Sequence, residues 1–138
     1  MPAVKQDEAR RLFATARVAR LATVAGTKPH VVPFTFAVEG DVVYTAVDAK
    51  PKSTTNLKRL SNIRDNPRVA VLADHYEDDW SALWWVRADG RASVVSEAEA
   101  MARPFRLLAE RYPQYVASPP AGPVIVIQVD RWTGWSAS

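Results

Sequence analysis

The chain contains no cysteine, and no serine stands in a Gly-x-Ser-x-Gly frame. Thiolate chemistry is therefore excluded, and hydrolysis by an activated serine has no support, because a nucleophile needs a positioned base beside it. His30 and His75 stand alone, without a second ligand at helical or hairpin spacing, so no metal site is expected. The acidic run Glu77-Asp78-Asp79 reads as a solvated turn. What remains is cationic. Lys50, Lys52, Lys58, Arg59, Arg64 and Arg68 fall within one loop, one helix and the start of a strand. Lys52 stands at the mouth of that helix, where free backbone N–H groups already favour an anion. Arginine grips phosphate with two parallel hydrogen bonds and lysine acts as a point charge. The segment suits a phosphate or a chain of carboxylates; a solvated helix face is the other reading.

Five tryptophans form two clusters, Trp80, Trp84 and Trp85 in mid-chain and Trp132 and Trp135 near the end. Large amphipathic rings concentrate in cores, at interfaces and beside flat ligands. Trp84 and Trp85 are adjacent, so in a strand they point to opposite faces. The outward one needs a partner, either a second subunit or a planar ring.

These residues must be positioned by a chain of 138 residues, long enough for one domain with its own core. A single domain over 1–138 is expected. Hydrophobic residues make up 48% and the net charge is +3. That modest excess favours anionic ligands without requiring nucleic acid. The basic segment is interrupted by Asp65 and matches no nucleic-acid module. The first twenty residues read as an amphipathic helix and not as a signal peptide. No stretch approaches the roughly 20 apolar residues of a membrane span. A cytoplasmic location is expected, with no membrane partner.

Periodicity predicts a helix over Asp7–Ala16 and a strand over Ala19–Val24, followed by a turn at Ala25-Gly26-Thr27. A second strand is expected over Val31–Val38, with Pro33 marking it as an edge or a bulge. Glu39-Gly40-Asp41 turns the chain into a third strand, Val42–Val47. Ser53 or Thr54 caps a helix to about Ile63, with Leu57 and Leu60 inward. Strands follow at Val69–Ala73, Leu83–Val86 and Arg91–Val95, the last two flanking Asp89-Gly90. Ser96 and Glu99 have capping-box spacing, and Pro104 must kink or restart the helix that they open. After a proline-rich loop, Pro113–Pro123, come a strand at Val124–Val129 and an aromatic tail, Arg131–Ser138. Six or seven strands in hairpins with about three helices describe an antiparallel barrel with peripheral helices, mainly β in an α+β arrangement.

Four segments in this order resemble one family. They are Arg20–Val24 (RLATV), Gly26–Phe36 (GTKPHVVPFTF), Lys58–Val71 (KRLSNIRDNPRVAV) and Trp84–Gly90 (WWVRADG). The chain resembles the pyridoxamine-phosphate-oxidase-like split-barrel proteins and, among them, the actinobacterial F420-dependent oxidoreductases. The likeness spans nearly the whole chain. It implies a six-stranded antiparallel split β-barrel of the FMN-binding type, forming a side-by-side homodimer with cofactor sites between the subunits. The ring would rest against the second strand, at His30, Val32, Pro33 and Phe34. The phosphate end would lie near Thr45, Lys52, Lys58 and Arg59. Arg59 takes the place of the family's phosphate-gripping lysine, eight residues before Pro67. Trp80 and Ser81 match a loop that reaches the ligand from the other subunit, and Trp132 matches a C-terminal position bordering the ring.

One departure bears on the cofactor. The flavin-phosphate oxidases of the group carry an arginine in the second strand and a lysine at its end, where this chain has Val32 and Ala37. The loss of both weakens a flavin-phosphate site and favours F420, whose polyglutamate tail suits the basic surface; FMN is the alternative. The resemblance thus implies an enzyme that moves a hydride between reduced F420 and a small organic acceptor, the cofactor carrying the chemistry. No side chain stands out as the proton donor. Arg87 could hold a carboxylate or form a structural ion pair. A non-catalytic F420 or FMN carrier is the rival class.

Overall fold

The computed structural model describes residues 3–47 and 54–138, with the side chains of 54–57 outside that description. Seven strands form one antiparallel sheet in the order β2-β1-β5-β6-β7-β4-β3. They are β1 (Ala19–Ala25), β2 (Lys28–Phe34), β3 (Ala37–Glu39), β4 (Val42–Ala46), β5 (Arg68–His75), β6 (Trp84–Val95) and β7 (Val124–Ser136). Among the described residues four α-helices surround them: α1 (Gln6–Thr15), α2 (Thr54–Asp65), α3 (Ala98–Arg111) and the single turn α4 (Gln114–Ala117). The mainly β, split-barrel-like class expected from the sequence is the class observed.

The sheet's two outermost strands, β2 and β3, are joined by Thr35 and Phe36 alone. A link of two residues spans at most about 7 Å beyond the strand ends. The two edges must therefore lie side by side, and the sheet is rolled with a seam at Thr35-Phe36. This explains the one expected strand, Val31–Val38, that the structure divides in two. Pro33 sits on the edge strand β2, opposite Arg20, where its missing N–H breaks no ladder on the open side.

Two other expectations are corrected by pairing. Asp89-Gly90 does not separate two strands; β6 runs through it with a register shift opposite Val129 and Arg131. An ideal Cβ on Gly90 would lie 2.3 Å from the Gln128 carbonyl oxygen, so only glycine lets the two backbones approach this closely. The C-terminal tail is also strand, since Arg131–Ser136 continues β7 against β6. At the head of α3, Glu97 holds the N-cap position and no side-chain cap bond forms, so the Ser96/Glu99 capping box is absent. The helix starts one residue too late for it. It then continues through Pro104, which is buried.

The core lies inside the roll. Phe13 and Phe36 are fully buried with ring centroids 4.6 Å apart, and Trp132 packs on Phe13 at 5.4 Å. Helix α1 thus inserts Ala9 and Phe13 into the barrel. Arg111 closes that helix's C-terminal end by donating to the carbonyls of Ala14 and Ala16, which have no partners further along the helix. The Tyr112 hydroxyl accepts from Phe36 N (3.2 Å) and donates to Arg17 O (3.0 Å), pinning the seam to the start of β1.

Candidate functional site

A groove of about 290 Å³ opens at the seam. Its apolar surface comes from Pro33 and Phe34 at the end of β2, Ala46 at the end of β4, and Val18 just before β1. Its polar surface comes from Thr35, Thr45, Arg59 and Tyr115. The topology dictates this assembly. Strands β2 and β4 end at the seam, so Phe34 and Thr45 meet there although eleven residues apart in sequence. Helix α2 lies against β1 and brings Arg59 to the same place.

Arg59 is half-buried, and desolvation lowers its pKa. It remains a cation at neutral pH, because a guanidinium holds its proton far above neutrality. A partly desolvated guanidinium beside hydroxyls and apolar walls suits an anionic group attached to a flat apolar body. Thr45 is buried. Thr35 and Tyr115 share a 2.7 Å hydrogen bond across the groove.

Four of the residues expected from the sequence therefore meet in one place: Pro33, Phe34, Thr45 and Arg59. The others are placed as follows. Along β2, His30, Val32 and Phe34 face inward and Pro33 outward, so His30–Phe34 does not present one continuous surface. Val32 is buried in the core, and His30 holds a buried Nδ1 with no hydrogen-bond partner among the described residues. Lys58 is exposed on α2. Lys52, with Lys50 and Ser53, lies outside the described residues.

Trp80 and Ser81 form a short 3₁₀ turn (Trp80–Ala82) at the β5–β6 hairpin tip, closed by Asp79, whose side chain accepts from Ser81 N and Oγ. Trp80 is 67% exposed and does not line the groove of its own chain. Trp132 is only 4% exposed, and its Nε1 donates to Asp41; it is a core residue and not part of the groove wall. Trp84 packs on the core while Trp85 is exposed, as adjacent strand residues must. Arg87 pairs with Asp89 at 3.1 Å, which takes the structural alternative.

Sequence reasoning missed Tyr115, Thr35, Val18 and Ala46. Tyr115 lies in the proline-rich segment read as a loop, and no periodic pattern marks it. Val18 and Thr35 sit at strand ends, where nothing local distinguishes a groove wall from a link.

Outside the groove, the outward face of β2, β1, β5 and β6 carries Val31, Leu72 and Trp85, all exposed. No group of three or more metal-ligating side chains occurs among the described residues, and no described helix is long and apolar enough to cross a membrane.

A family model described as pyridoxamine 5'-phosphate oxidase matches residues 6–136. No curated protein sequence matches the chain. Among solved structures, an FAD-binding protein from Mesorhizobium loti is similar with a TM-score of 0.75 at 20% identity, covering 96% of this chain and 95% of that one. A conserved hypothetical protein from Mycobacterium tuberculosis has a TM-score of 0.76 at 24% identity, covering 97% and 86%. The FAD-binding protein from Mycobacterium smegmatis gives 0.72 at 19% identity, covering 97% and 98%. At these identities the likeness is one of fold.

Proposed function

Since the chain belongs to the pyridoxamine 5'-phosphate oxidase family, we propose that its seam groove holds a flavin or deazaflavin, with F420 favoured, and that it is an oxidoreductase moving a hydride between that cofactor and a small organic acceptor. The observation that carries this reading is the meeting of Pro33, Phe34, Thr45 and Arg59 in one groove. Flat apolar contact and an anion-pairing guanidinium are what a ring with an acidic tail requires.

The preference for F420 rests on where cations are missing. Val32 and Ala37 stand where the flavin-phosphate oxidases that this chain resembles carry arginine and lysine, and both are buried apolar residues. Neither position can hold a phosphate. The grip then falls to Arg59 and the exposed Lys58 on α2, a surface that suits a long acidic tail. A second reading, FMN or another flavin, is favoured by the two neighbours described as FAD-binding.

The groove's volume supports a homodimer. About 290 Å³ sits at the lower limit of small-molecule sites, which leaves room for a second copy to extend the groove. A second copy, packed through Val31, Leu72 and Trp85, would supply a further wall. The exposed Trp80 and Ser81 of the hairpin tip would then reach the groove of the other chain.

When bound, the cofactor supplies the hydride chemistry. The chain's own residues bind and orient. Pro33 and Phe34 would pack against the ring, Arg59 would pair with the acidic end, and Trp80 of the other copy would cover the open side. Holding the reactants at contact distance accounts for much of the acceleration such enzymes need.

Titration of the protein with F420 and with FMN, followed by tryptophan fluorescence, tests the reading. Saturable quenching by F420, then turnover of conjugated ketones or quinones with reduced F420, is expected. Tighter binding of FMN favours the second reading, binding without turnover leaves a carrier, and no binding of either removes the proposal.

A further inference from the structure

The Tyr112 and Tyr115 hydroxyls are used differently. Tyr112 Oη is spent within the fold, accepting from Phe36 N and donating to Arg17 O. Tyr115 Oη makes one hydrogen bond, to Thr35 Oγ1 at 2.7 Å, and among the described residues neither of those two oxygens has another. Two hydroxyls carry two donor hydrogens, and a single bond between them uses one. Whichever oxygen donates, one O–H is left over. Both residues line the seam groove and are half-buried, so the spare donor is available to the groove's contents.

Pairing also strengthens that donor. A phenol, or an alcohol already polarised by a phenol, donates better than a lone alcohol, because linked hydrogen bonds reinforce one another. The arrangement lies beside the Arg59 guanidinium but differs from it in kind. Arg59 favours negative charge, whereas a neutral O–H needs no charge on its partner and can donate to a carbonyl oxygen that the guanidinium has no reason to prefer.

We infer that the Thr35–Tyr115 hydroxyl pair is a ligand-recognition element that donates one hydrogen bond to an uncharged oxygen of the ring-bearing ligand. The inference rests on the proposed flavin or deazaflavin groove and adds to it a contact from the segment between β6 and β7. A ligand would be read at two separate points, its acid by Arg59 and a ring oxygen by this pair.

The alternative is a tether that fastens α4 to the seam and nothing more. Donor counting separates the two. Thr35→Val or Tyr115→Phe alone breaks the tether completely, yet leaves one hydroxyl able to donate. Only the double variant has no donor. The probes are riboflavin and 8-hydroxy-5-deazariboflavin, which carry the rings without the phosphate tail, with FMN and F420 as tailed counterparts.

The inference expects the thermal midpoint to fall by the same amount in both single variants and the double. Affinity for the tail-free ring should fall no more than about threefold in either single variant and about tenfold in the double, the scale of one hydrogen bond. If the double variant binds within twofold of wild type, the inference is overturned and the pair is a tether. If wild type binds none of the four ligands, the proposed function fails and takes this inference with it. Should the double variant not fold, the infrared carbonyl stretch of the bound ring decides. It rises slightly in Tyr115→Phe if the pair donates, because the remaining hydroxyl loses the partner that polarised it, and is unchanged if the pair does not donate.

Discussion

The indole Nε1 of Trp132 donates a 2.9 Å hydrogen bond to Asp41 Oδ1, fastening the β3–β4 turn to the middle of β7. Arg10 of α1 reaches the same carboxylate oxygen, also at 2.9 Å. One carboxylate thus ties together a turn, a helix and the longest strand. Trp132→Phe keeps the packing on Phe13 and removes the bond, and is expected to cost about 1 kcal/mol. Trp132→Ala also opens a cavity and is expected to cost about 3–5 kcal/mol. Urea unfolding of the three proteins measures both, and equal midpoints for wild type and Trp132→Phe would show that the bond contributes nothing.

That carboxylate also sets a pH dependence. Trp132 and then Arg10 hold Asp41 below its ordinary value of 3.8, and hydrogen bonds from Arg103 hold Glu39 below 4.5. Both groups bind protons more weakly in the folded chain than in the unfolded one. Their contribution is therefore present in full above the unfolded values and is lost as pH falls through the lowered folded values. The urea midpoint should hold steady from pH 7 to about 5 and decline below about 4.5. The decline should be shallower in Trp132→Phe, where Asp41 loses the largest cause of its shift. Identical slopes in the two proteins would contradict the assignment.

Gly90 tests the bulge. Its ideal Cβ would fall 2.3 Å from Gln128 O and 3.0 Å from Gln128 C, both backbone atoms that cannot rotate away. Gly90→Ala should destabilise by about 2–3 kcal/mol, the cost of forcing packed backbones apart. Thermal unfolding against wild type checks it; a change below about 0.5 kcal/mol would place the substitution with ordinary surface changes.

Association through the outward sheet face predicts a separable defect. Val31 is 61% exposed on the edge strand β2, so a charge there leaves the isolated barrel nearly untouched. Val31→Asp should shift sedimentation from dimer to monomer and weaken ligand binding with it, while the circular dichroism spectrum is kept. A variant that still sediments as a dimer would move the interface elsewhere.

Much of this fold was legible in the residues themselves. Alternation in β1 and β5 and the Gly26 and Gly40 turns, both at positive φ, announce hairpins. Pro33 announces an edge. What stayed hidden depends on partners distant in sequence. Nothing local in Arg131–Ser136 shows that β6 is waiting to pair with it, and Asp89-Gly90 has the composition of a turn although it is a bulge. The site divides in the same way. Arg59, Thr45, Pro33 and Phe34 were reached through family likeness, whereas Tyr115 comes to the groove only because α3 packs on β3 and β4. Trp132 shows the limit of likeness, because its indole is satisfied within the core by Asp41.

The most direct test of the seam groove is equilibrium binding to wild type and Arg59→Ala, using each ring with and without its acidic tail. Loss of the guanidinium should weaken the preferred tailed ligand by about 1–3 kcal/mol, the scale of a charge-assisted bond, and leave the tail-free ring unchanged. Equal affinity of both proteins for the tailed ligand would contradict the account, because the groove would then not be where the anionic end is held.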